Sequence, residues 1–213
     1  MKIKINEIYK SIQGESSFSG LPCTFIRFTY CNLRCSYCDT EHAFYEGDDM
    51  TIDEIIKEVD KLNCNLVEIT GGEPLVQNGY IDLIKKLESK KYKVLIETGG
   101  ALSIKNIPQN THIILDLKCP SSNMQDKNLL ENLDYIKSTD EIKFVIGDKN
   151  DYTWAKKVIK KYKLIKKTSI LISPVYDKIK PKKIVDWILK DNLNVRFQLQ
   201  IHKNIWDAEA KGV

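Results

Sequence analysis

The sequence Cys31-Asn-Leu-Arg-Cys35-Ser-Tyr-Cys38 directly follows an apolar stretch typical of a β-strand. Its three cysteines have the spacing C-x3-C-x2-C within one short loop. Three thiolates from such a loop can each bind one iron of a [4Fe–4S] cluster, which normally takes four cysteine ligands. The fourth iron is then left without a protein ligand and can chelate a substrate. The spacing therefore predicts an iron–sulfur centre that binds a small molecule directly.

A zinc site is the alternative interpretation of the same cysteines. His42 extends the series to C-x3-C-x2-C-x3-H, and three cysteines with one histidine can hold a structural zinc ion. The chain could then be a zinc-stabilised binding module. Disulfides are disfavoured, because six cysteines in 213 residues are sparse for a secreted scaffold. The N-terminus lacks the apolar core of a signal peptide, so we expect a cytoplasmic protein with reduced thiols.

A second motif, Thr70-Gly71-Gly72-Glu73-Pro74, follows the apolar run 66–69. Two adjacent glycines let the backbone turn sharply and approach a ligand closely. The exposed amides can then hydrogen-bond a small polar group. This segment comes one strand and one helix after the cysteine loop. The resemblance of the two motifs to a known enzyme family, given below, favours the iron–sulfur centre over zinc.

Composition predicts one globular domain, residues 1–213. Hydrophobic residues make up 42% of the chain, and no apolar run reaches transmembrane length, so no membrane partner is expected. The net charge of +4 is scattered over lysine pairs, which predicts solvated helix faces and no nucleic-acid partner. Only three of the 33 basic residues are arginines. Arg27, in the strand before the cysteines, is a candidate for gripping a substrate carboxylate, with a surface salt bridge as the alternative.

Strand and helix patterns alternate along the chain. Strands are predicted near 3–8, 23–30, 66–70, 92–97, 112–117, 141–146, 169–173 and 195–200. Helices are predicted near 51–63, 77–91, 126–135, 150–163 and 181–190. Such alternation favours an α/β fold with a mostly parallel sheet and right-handed crossovers.

The cysteine loop, with Tyr37 before its third cysteine, and the Gly-Gly-Glu-Pro segment resemble those of the radical S-adenosylmethionine (SAM) superfamily. This resemblance implies a partial, reduced (β/α) barrel in which SAM binds the open iron and is cleaved to a 5′-deoxyadenosyl radical. Three further segments, at 11–15, 38–40 and 200–213, resemble the family of 7-carboxy-7-deazaguanine synthases over nearly the whole chain. That family is a group of carbon–nitrogen lyases in queuosine and 7-deazapurine biosynthesis. They convert 6-carboxy-5,6,7,8-tetrahydropterin to 7-carboxy-7-deazaguanine with loss of ammonia.

The family resemblance implies a role for individual residues, although it assigns no side-chain acid or base. The expected cluster ligands are Cys31, Cys35 and Cys38, and Thr40 is the expected ligand of a Mg²⁺ ion that also touches the substrate. The expected SAM contacts are Tyr37, Asp39, Gly72, Glu73, Lys118, Ser121 and Ser173. The expected substrate contacts are Ile12, Gln13, Gly14, Glu15, Arg27, Thr70, His202 and Val213.

The C-terminal tail has its own expectation. The carboxylate of Val213 is expected to reach the pterin, with Ile205 and Trp206 anchoring the tail. The expected partners are a flavodoxin- or ferredoxin-type electron donor and a second copy of the chain in a homodimer. A radical SAM activase, which forms a glycyl radical on a partner protein, is the alternative enzyme. Cys23, Cys64 and Cys119 have no ligand spacing, and Cys64 is expected in the core.

Overall fold

The computed structural model describes residues 1–208 and 210–213. Its strands, in chain order, are β1 (Lys2–Ile12), β2 (Pro22–Phe28), β3 (Asp48–Thr51), β4 (Leu66–Gly71), β5 (Lys93–Thr98), β6 (His112–Asp116), β7 (Glu141–Ile146), β8 (Ser169–Pro174) and β9 (Arg196–Phe197). They form one sheet in the order β3-β1-β2-β4-β5-β6-β7-β8-β9. β1 pairs antiparallel with both β2 and β3, and every pair from β2–β4 to β8–β9 is parallel. The predicted α/β fold with a mostly parallel sheet is confirmed.

The helices are α1 (Ile52–Lys61), α2 (Tyr80–Ser89), α3 (Lys149–Lys161), α4 (Pro181–Lys190) and the single turn α5 (His202–Ile205). α1 begins with a capping box: the Glu54 amide donates to the Thr51 hydroxyl, and the Thr51 amide donates to the Glu54 carboxylate. α3 begins after Asp148, whose carboxylate accepts from the Asp151 amide. These caps fix where two of the crossover helices start.

The two faces of the sheet differ in chemistry. One face is apolar and packs against α1 to α4, with residues such as Val67, Ile96 and Phe144 fully buried in the main core. The opposite face, called the inner face here, has a small apolar cluster that includes Phe25 and Leu95. Along the same strands the inner face also has charged side chains, namely Arg27, Glu68, Glu97, Asp116 and Lys143.

The sheet curves so that its two ends approach each other across the inner face. Glu15 follows β1, yet its carboxylate lies 3.0 Å from the Lys143 ammonium on β7. The Ser17 amide, in the same β1–β2 loop, donates to the Glu141 carboxylate at the start of β7 at 3.0 Å. The β1–β2 loop therefore crosses the inner face and reaches the far strands.

The predicted helix near 126–135 is wrong. Two short 3₁₀ turns, Gln125–Lys127 and Leu130–Asp134, take its place. Asn128 and Asn132 explain the difference, because their side chains hydrogen-bond backbone groups of Lys118 and Ile104. Asn128 also donates to Gln125 O, three residues earlier, and local side-chain bonds of this kind compete with helix formation.

Other boundaries also moved. β1 runs to Ile12, four residues past the predicted end at 8, and β3 had no counterpart in the prediction. The strand predicted over 195–200 is only Arg196–Phe197. Cys23, Cys64 and Cys119 are buried, as expected for Cys64. In the described residues, no helix is both long and apolar enough to cross a bilayer.

Candidate functional site

The cysteine loop follows β2, and its thiols are free and half-buried. Burial raises the pKa of Cys31, Cys35 and Cys38, for Cys35 to about 11, while the neighbouring Lys118 ammonium opposes the rise. The Leu33 amide also donates to the Cys31 sulfur at 3.4 Å, which favours its thiolate. A metal centre binds cysteines as thiolates and displaces their protons. A cluster bound here would add its positive iron charge to that of Lys118, and both would stabilise the three thiolates.

His42 is not positioned to complete a zinc site. Its Nε2 lies 3.7 Å from a carboxylate oxygen of Glu7 on β1. Across residues 1–208 and 210–213, no group of three or more histidine, cysteine or acidic side chains is arranged to hold a single metal ion. The geometry thus disfavours a Cys₃His zinc site, which needs four ligands around one ion. Cysteines around a larger cluster need no such convergence.

The Gly-Gly-Glu-Pro segment contacts the start of the cysteine loop through its backbone. Gly71 has a φ of 135°, and a Cβ at Gly72 would overlap the carbonyl of Tyr30. The Gly72 amide donates to Phe28 O at 3.0 Å and the Glu73 amide donates to Tyr30 O at 2.7 Å. Two motifs that are separate in the sequence are therefore held together by glycine's lack of a side chain.

Glu73 uses its side chain within the protein. The residue is 1% exposed, and its carboxylate accepts from the Thr98 hydroxyl and from the Gly99 and Leu75 amides. Burial raises the pKa of Glu73, and these hydrogen bonds oppose the rise. The carboxylate fastens the glycine turn to the end of β5. The predicted contact of Gly72 and Glu73 with SAM stays a prediction. Because the Glu73 carboxylate is used within the protein, backbone groups of the two residues would make this contact.

A turn after β6 supports the cysteine loop from the other side. Ser36 donates its amide to Ser122 O at 3.0 Å and its hydroxyl to Ser121 O. Ser121 in turn donates its amide to the fully buried Asp151 of α3 at 2.8 Å, and its hydroxyl donates to the same carboxylate. Lys118, earlier in this turn, pairs with Asp116 at 2.9 Å. The predicted SAM residues Lys118 and Ser121 therefore lie beside the cysteine loop.

Tyr37 and Asp39 lie at the cysteine end of the site. The Tyr37 hydroxyl is buried and has no partner among the described residues, which leaves a polar atom for a ligand to satisfy. Asp39 is paired with Lys203 at 2.7 Å and accepts from the Thr40 hydroxyl at 2.9 Å. Burial alone would raise the pKa of Asp39, but Lys203 holds it well below its usual range.

The predicted substrate residues at 12–15 come together where the β1–β2 loop enters the inner face. Ile12 ends β1, and the buried Gln13 donates its side-chain amide to Glu68. Gln13 also accepts from the Glu15 amide at 2.8 Å. A Cβ at Gly14 would overlap the ring of His202. Burial lowers the pKa of His202.

Arg27 and Thr70 are adjacent on β2 and β4. The Arg27 guanidinium lies 2.6 Å from Glu7 through Nε and donates to the Tyr9 hydroxyl at 3.0 Å through Nη2. No described residue accepts from Nη1. The structure thus shows a largely buried ion pair, which differs from the surface salt bridge considered as the alternative, and it leaves Nη1 available to a further acceptor.

Sequence reasoning missed the charges deepest on the inner face. Lys143 is 5% exposed and contacts Glu15 and Glu97, with Asp116 at 3.7 Å. Glu68 is 2% exposed, and burial together with the charges of Glu97 and Glu15 raises its pKa well above the usual range. The signal that could have found them is a charged residue flanked by apolar residues within a strand, as in Val67-Glu68-Ile69 and Ile142-Lys143-Phe144.

The C-terminal segment joins the two parts of the site. The Ile201 amide donates to Gly14 O at 3.0 Å. The side-chain amide of Gln200 donates to Glu15 at 2.8 Å and to Asp39 at 3.3 Å. The anchoring role expected for Ile205 is wrong, because that side chain is 56% exposed and lies at the end of a single helical turn.

Two further predicted residues lie apart from these contacts. Val213 and Trp206 are half-exposed, and the contact of Val213 with the pterin stays a prediction. Ser173 is buried near the end of β8. Beside it, a cleft of about 720 Å³ extends past the ends of β7 and β8 and is lined by residues that include Gly147, Pro174, Tyr176 and Gln200.

Comparison with known proteins identifies the relatives of this chain. The sequence model described as "Radical SAM superfamily" matches residues 25–188. A 7-carboxy-7-deazaguanine synthase from Koribacter versatilis is 45% identical, over 99% of this chain and 100% of the relative. One from Chlorobaculum tepidum is 42% identical, over 99% of this chain and 97% of the relative.

Solved structures agree on the fold. A crystal structure of QueE from Escherichia coli superposes with a TM-score of 0.78 at 22% identity, covering 93% of this chain and 94% of that one. SuiB from Streptococcus suis, bound to S-adenosylmethionine, superposes with a TM-score of 0.56 at 18% identity, over 80% of this chain and 48% of that one. The chain therefore belongs to the radical SAM superfamily and, within it, to the family of 7-carboxy-7-deazaguanine synthases.

Proposed function

We propose that this chain, acting as one domain of residues 1–213, converts 6-carboxy-5,6,7,8-tetrahydropterin to 7-carboxy-7-deazaguanine with loss of ammonia. Family membership supports this reaction. The observation that carries it in the structure is Gln200, whose amide nitrogen lies 2.8 Å from Glu15 and 3.3 Å from Asp39. One side chain thus joins the loop predicted to read the pterin to the loop predicted to hold the cluster and SAM.

Cys31, Cys35 and Cys38 are the residues that would hold the [4Fe–4S] cluster, with Lys118 beside them to offset its negative charge. Held there, the cluster and SAM would supply radical chemistry for hydrogen abstraction from the substrate. The protein must hold the reacting carbon close to that radical and keep water away. Its contribution begins with the rigid contact between the cysteine loop and the Gly71–Gly72 turn.

The cleft beyond β7 and β8 is the proposed place of the adenosine. Its volume of about 720 Å³ is typical of a pocket for a small ligand. Tyr37 lies beside it, because the ammonium of the cleft residue Lys178 is 5.8 Å from the Tyr37 ring centre. The unpartnered Tyr37 hydroxyl and the buried Ser173 are then candidates for the SAM contacts predicted from the family.

The inner face is the proposed place of the pterin. The ring presents an amine and an N–H, which the carboxylate of Glu15 can accept. Arg27 has the free Nη1 edge for the substrate carboxylate, while its other nitrogens are held by Glu7 and Tyr9. Thr70 and His202 complete the walls, His202 through its ring against Gly14.

Thr40 is the proposed Mg²⁺ ligand, with substrate and water completing the shell. Its hydroxyl donates to Asp39 at 2.9 Å, so the oxygen keeps lone pairs for a cation. Thr40→Ala is expected to retain its iron content and to lose most of its stimulation by Mg²⁺. The measurement is activity against Mg²⁺ concentration, and an unchanged Mg²⁺ dependence would remove the assignment.

The remaining proposals concern partners. A flavodoxin- or ferredoxin-type donor is proposed to reduce the cluster, and the enzyme is proposed to be a cytoplasmic homodimer. Mass measurement by light scattering tests the dimer. The activase alternative is set aside, because relatives aligned over their full length are 7-carboxy-7-deazaguanine synthases.

The decisive experiment is anaerobic incubation of the reconstituted protein with SAM, reductant, Mg²⁺ and carboxytetrahydropterin. We expect a 7-deazapurine chromophore, identified by mass. Uncoupled cleavage of SAM without substrate turnover would show a working radical centre and reject the proposed substrate.

A further inference from the structure

Lys143 is a buried ammonium surrounded by carboxylates from separate elements. It lies 3.0 Å from Glu15 in the β1–β2 loop, contacts Glu97 on β5 more closely still, and is 3.7 Å from Asp116 on β6. At 5% exposure it has little access to water. A buried charge of this kind is costly unless several partners hold it, which these three do.

Lys143 has more carboxylates than cations around it. The titratable and charged groups that face it are Glu15, Glu68, Glu97, Asp116 and Lys118. Arg27 lies near Glu68, and His202 lies near Glu15. Asp116 has its own partner in Lys118, and Arg27 pairs with Glu7. Lys143 is therefore the cation that Glu15 and Glu97 share directly.

We propose that Lys143 is a positioning residue of the pterin site, whose ammonium fixes the Glu15 carboxylate opposite Glu97 and so sets the acceptor edge presented to the substrate. The inference rests on the proposed function, which gives Glu15 the pterin's amine and N–H. Glu15 is held from the other side by Gln200, so its two oxygens have separate partners: Oε2 faces Lys143 and Oε1 faces Gln200.

Charge is the second part of the role. Burial raises the pKa of Glu97, and Lys143 is the strongest influence that opposes the rise. The carboxylates around Lys143 raise its own pKa well above the usual range, although burial alone would lower it. Lys143 therefore stays charged and favours the ionised form of Glu97, which can then accept from a heterocycle that donates.

The substrate class follows from this arrangement. A bicycle with an amino group beside a ring N–H matches ionised carboxylate acceptors. A lumazine has a carbonyl where a pterin has the amino group. Its carbonyl oxygen would face a carboxylate oxygen, and two acceptors cannot hydrogen-bond each other. Lys143 is then needed for discrimination between the two ring systems.

The test compares Lys143→Met with the wild type in the anaerobic assay. We expect the KM for carboxytetrahydropterin to rise at least about tenfold, as when one charge-assisted bond is lost. Iron content, SAM affinity and uncoupled SAM cleavage should stay at wild-type levels. In Lys143→Met the KM should also fall as pH rises, because Glu97 has lost its cation there and ionises at a higher pH than in the wild type.

Inhibition by 6-carboxytetrahydrolumazine measures the preference between the two ring systems. This preference would not change if Lys143 had a purely structural role. The wild type should prefer the pterin strongly, and Lys143→Met should narrow that preference by about tenfold. Lys143→Arg keeps the charge, so its KM for the pterin should depend on pH almost as little as that of the wild type. Unchanged pterin KM and unchanged preference in Lys143→Met would overturn the proposal.

Two controls separate the possible failures. Lys137 pairs at 2.9 Å with the buried Asp140 at the start of β7, outside the Lys143 contacts. Lys137→Met should therefore lower stability without changing the pterin preference. If Lys143→Met does not accumulate as folded protein, Lys143→Gln, which has no charge but can still hydrogen-bond, is used with the same expectations. If the wild type itself does not convert the pterin, the proposed function fails, whatever the variants do.

Discussion

The cysteine loop and the inner face are held by different parts of the chain. Backbone hydrogen bonds hold the loop: Tyr30 O accepts from the Glu73 amide, and Ser122 O accepts from the Ser36 amide. Charged side chains from separate strands hold the inner face, with Lys143 among carboxylates. A site held by backbone needs particular glycines and short spacings, whereas a site held by side chains needs a balance of charge. A substitution that strains the backbone should therefore impair the cysteine loop, and one that removes a charge should impair the inner face.

The largest effect is expected at the cysteine loop. Cys35→Ala removes one of the three thiolates, so the variant should not retain the cluster. The rate of SAM cleavage should then fall by on the order of a thousandfold or more. His42→Ala is the matched control, because its ring points to Glu7, and it should keep its iron. Iron content and the absorbance near 400 nm check both. Loss of iron from the histidine variant would contradict the three-ligand assignment.

Gly72→Ala tests the backbone contact between the two motifs. Its Cβ would overlap the Tyr30 carbonyl, which cannot move without shifting Cys31. We expect a strain of about 2 kcal/mol, and SAM affinity weakened by about thirtyfold. Gly20→Asn is the control, because a Cβ at Gly20 meets no atom within 4 Å and asparagine tolerates its positive φ. Equal SAM affinity in both variants would show that the contact is dispensable.

Arg27→Lys tests the inner face with its charge kept. A guanidinium can serve Glu7, Tyr9 and a substrate carboxylate at once, whereas an ammonium offers a single point charge. Losing one charge-assisted bond costs on the order of 1.5–3 kcal/mol, about tenfold to a hundredfold in kcat/KM. Steady-state kinetics measure it, with the exposed Arg196→Lys as control. Wild-type kinetics would leave Arg27 a structural role alone.

The smallest effect is expected at Glu141, below the site. Burial alone would raise its pKa, but hydrogen bonds from His112 and Ser17 lower it. A carboxyl whose pKa is lower in the folded state stabilises the fold above its unfolded pKa, and this stability is lost as pH falls through the folded value.

Glu141→Gln should therefore lower the free energy of unfolding by about 1–2 kcal/mol at neutral pH. The difference from wild type should shrink as pH falls below the ordinary glutamate pKa of about 4.3 and through the lower pKa of the folded state, where the wild-type carboxyl becomes protonated. Urea unfolding at the two pH values measures this, with the exposed Glu131→Gln as control. A difference that does not change with pH would assign the effect to packing.

The sequence predicted the loop better than the inner face, for a physical reason. Cys31, Cys35 and Cys38 lie within eight residues, and their chemistry can be recognised without the fold. Glu15 and Lys143 are 128 residues apart, and they meet only because the β1–β2 loop crosses the inner face. The order of strands and helices was accessible because apolar runs alternate with amphipathic ones. The region 126–135 was not, because Asn128 and Asn132 bond to backbone far from their own turn.

Gln200 has a consequence for how ligands bind. Its side-chain amide has two hydrogens, and both are used: one for Glu15 and one for Asp39. A ligand that moves either carboxylate changes the hydrogen bond available to the other. Reciprocity of binding free energies then requires that SAM alters pterin affinity by the same factor as the pterin alters SAM affinity. With the pterin at Glu15 and SAM at Asp39, as proposed above, coupling between the two would pass through one uncharged side chain.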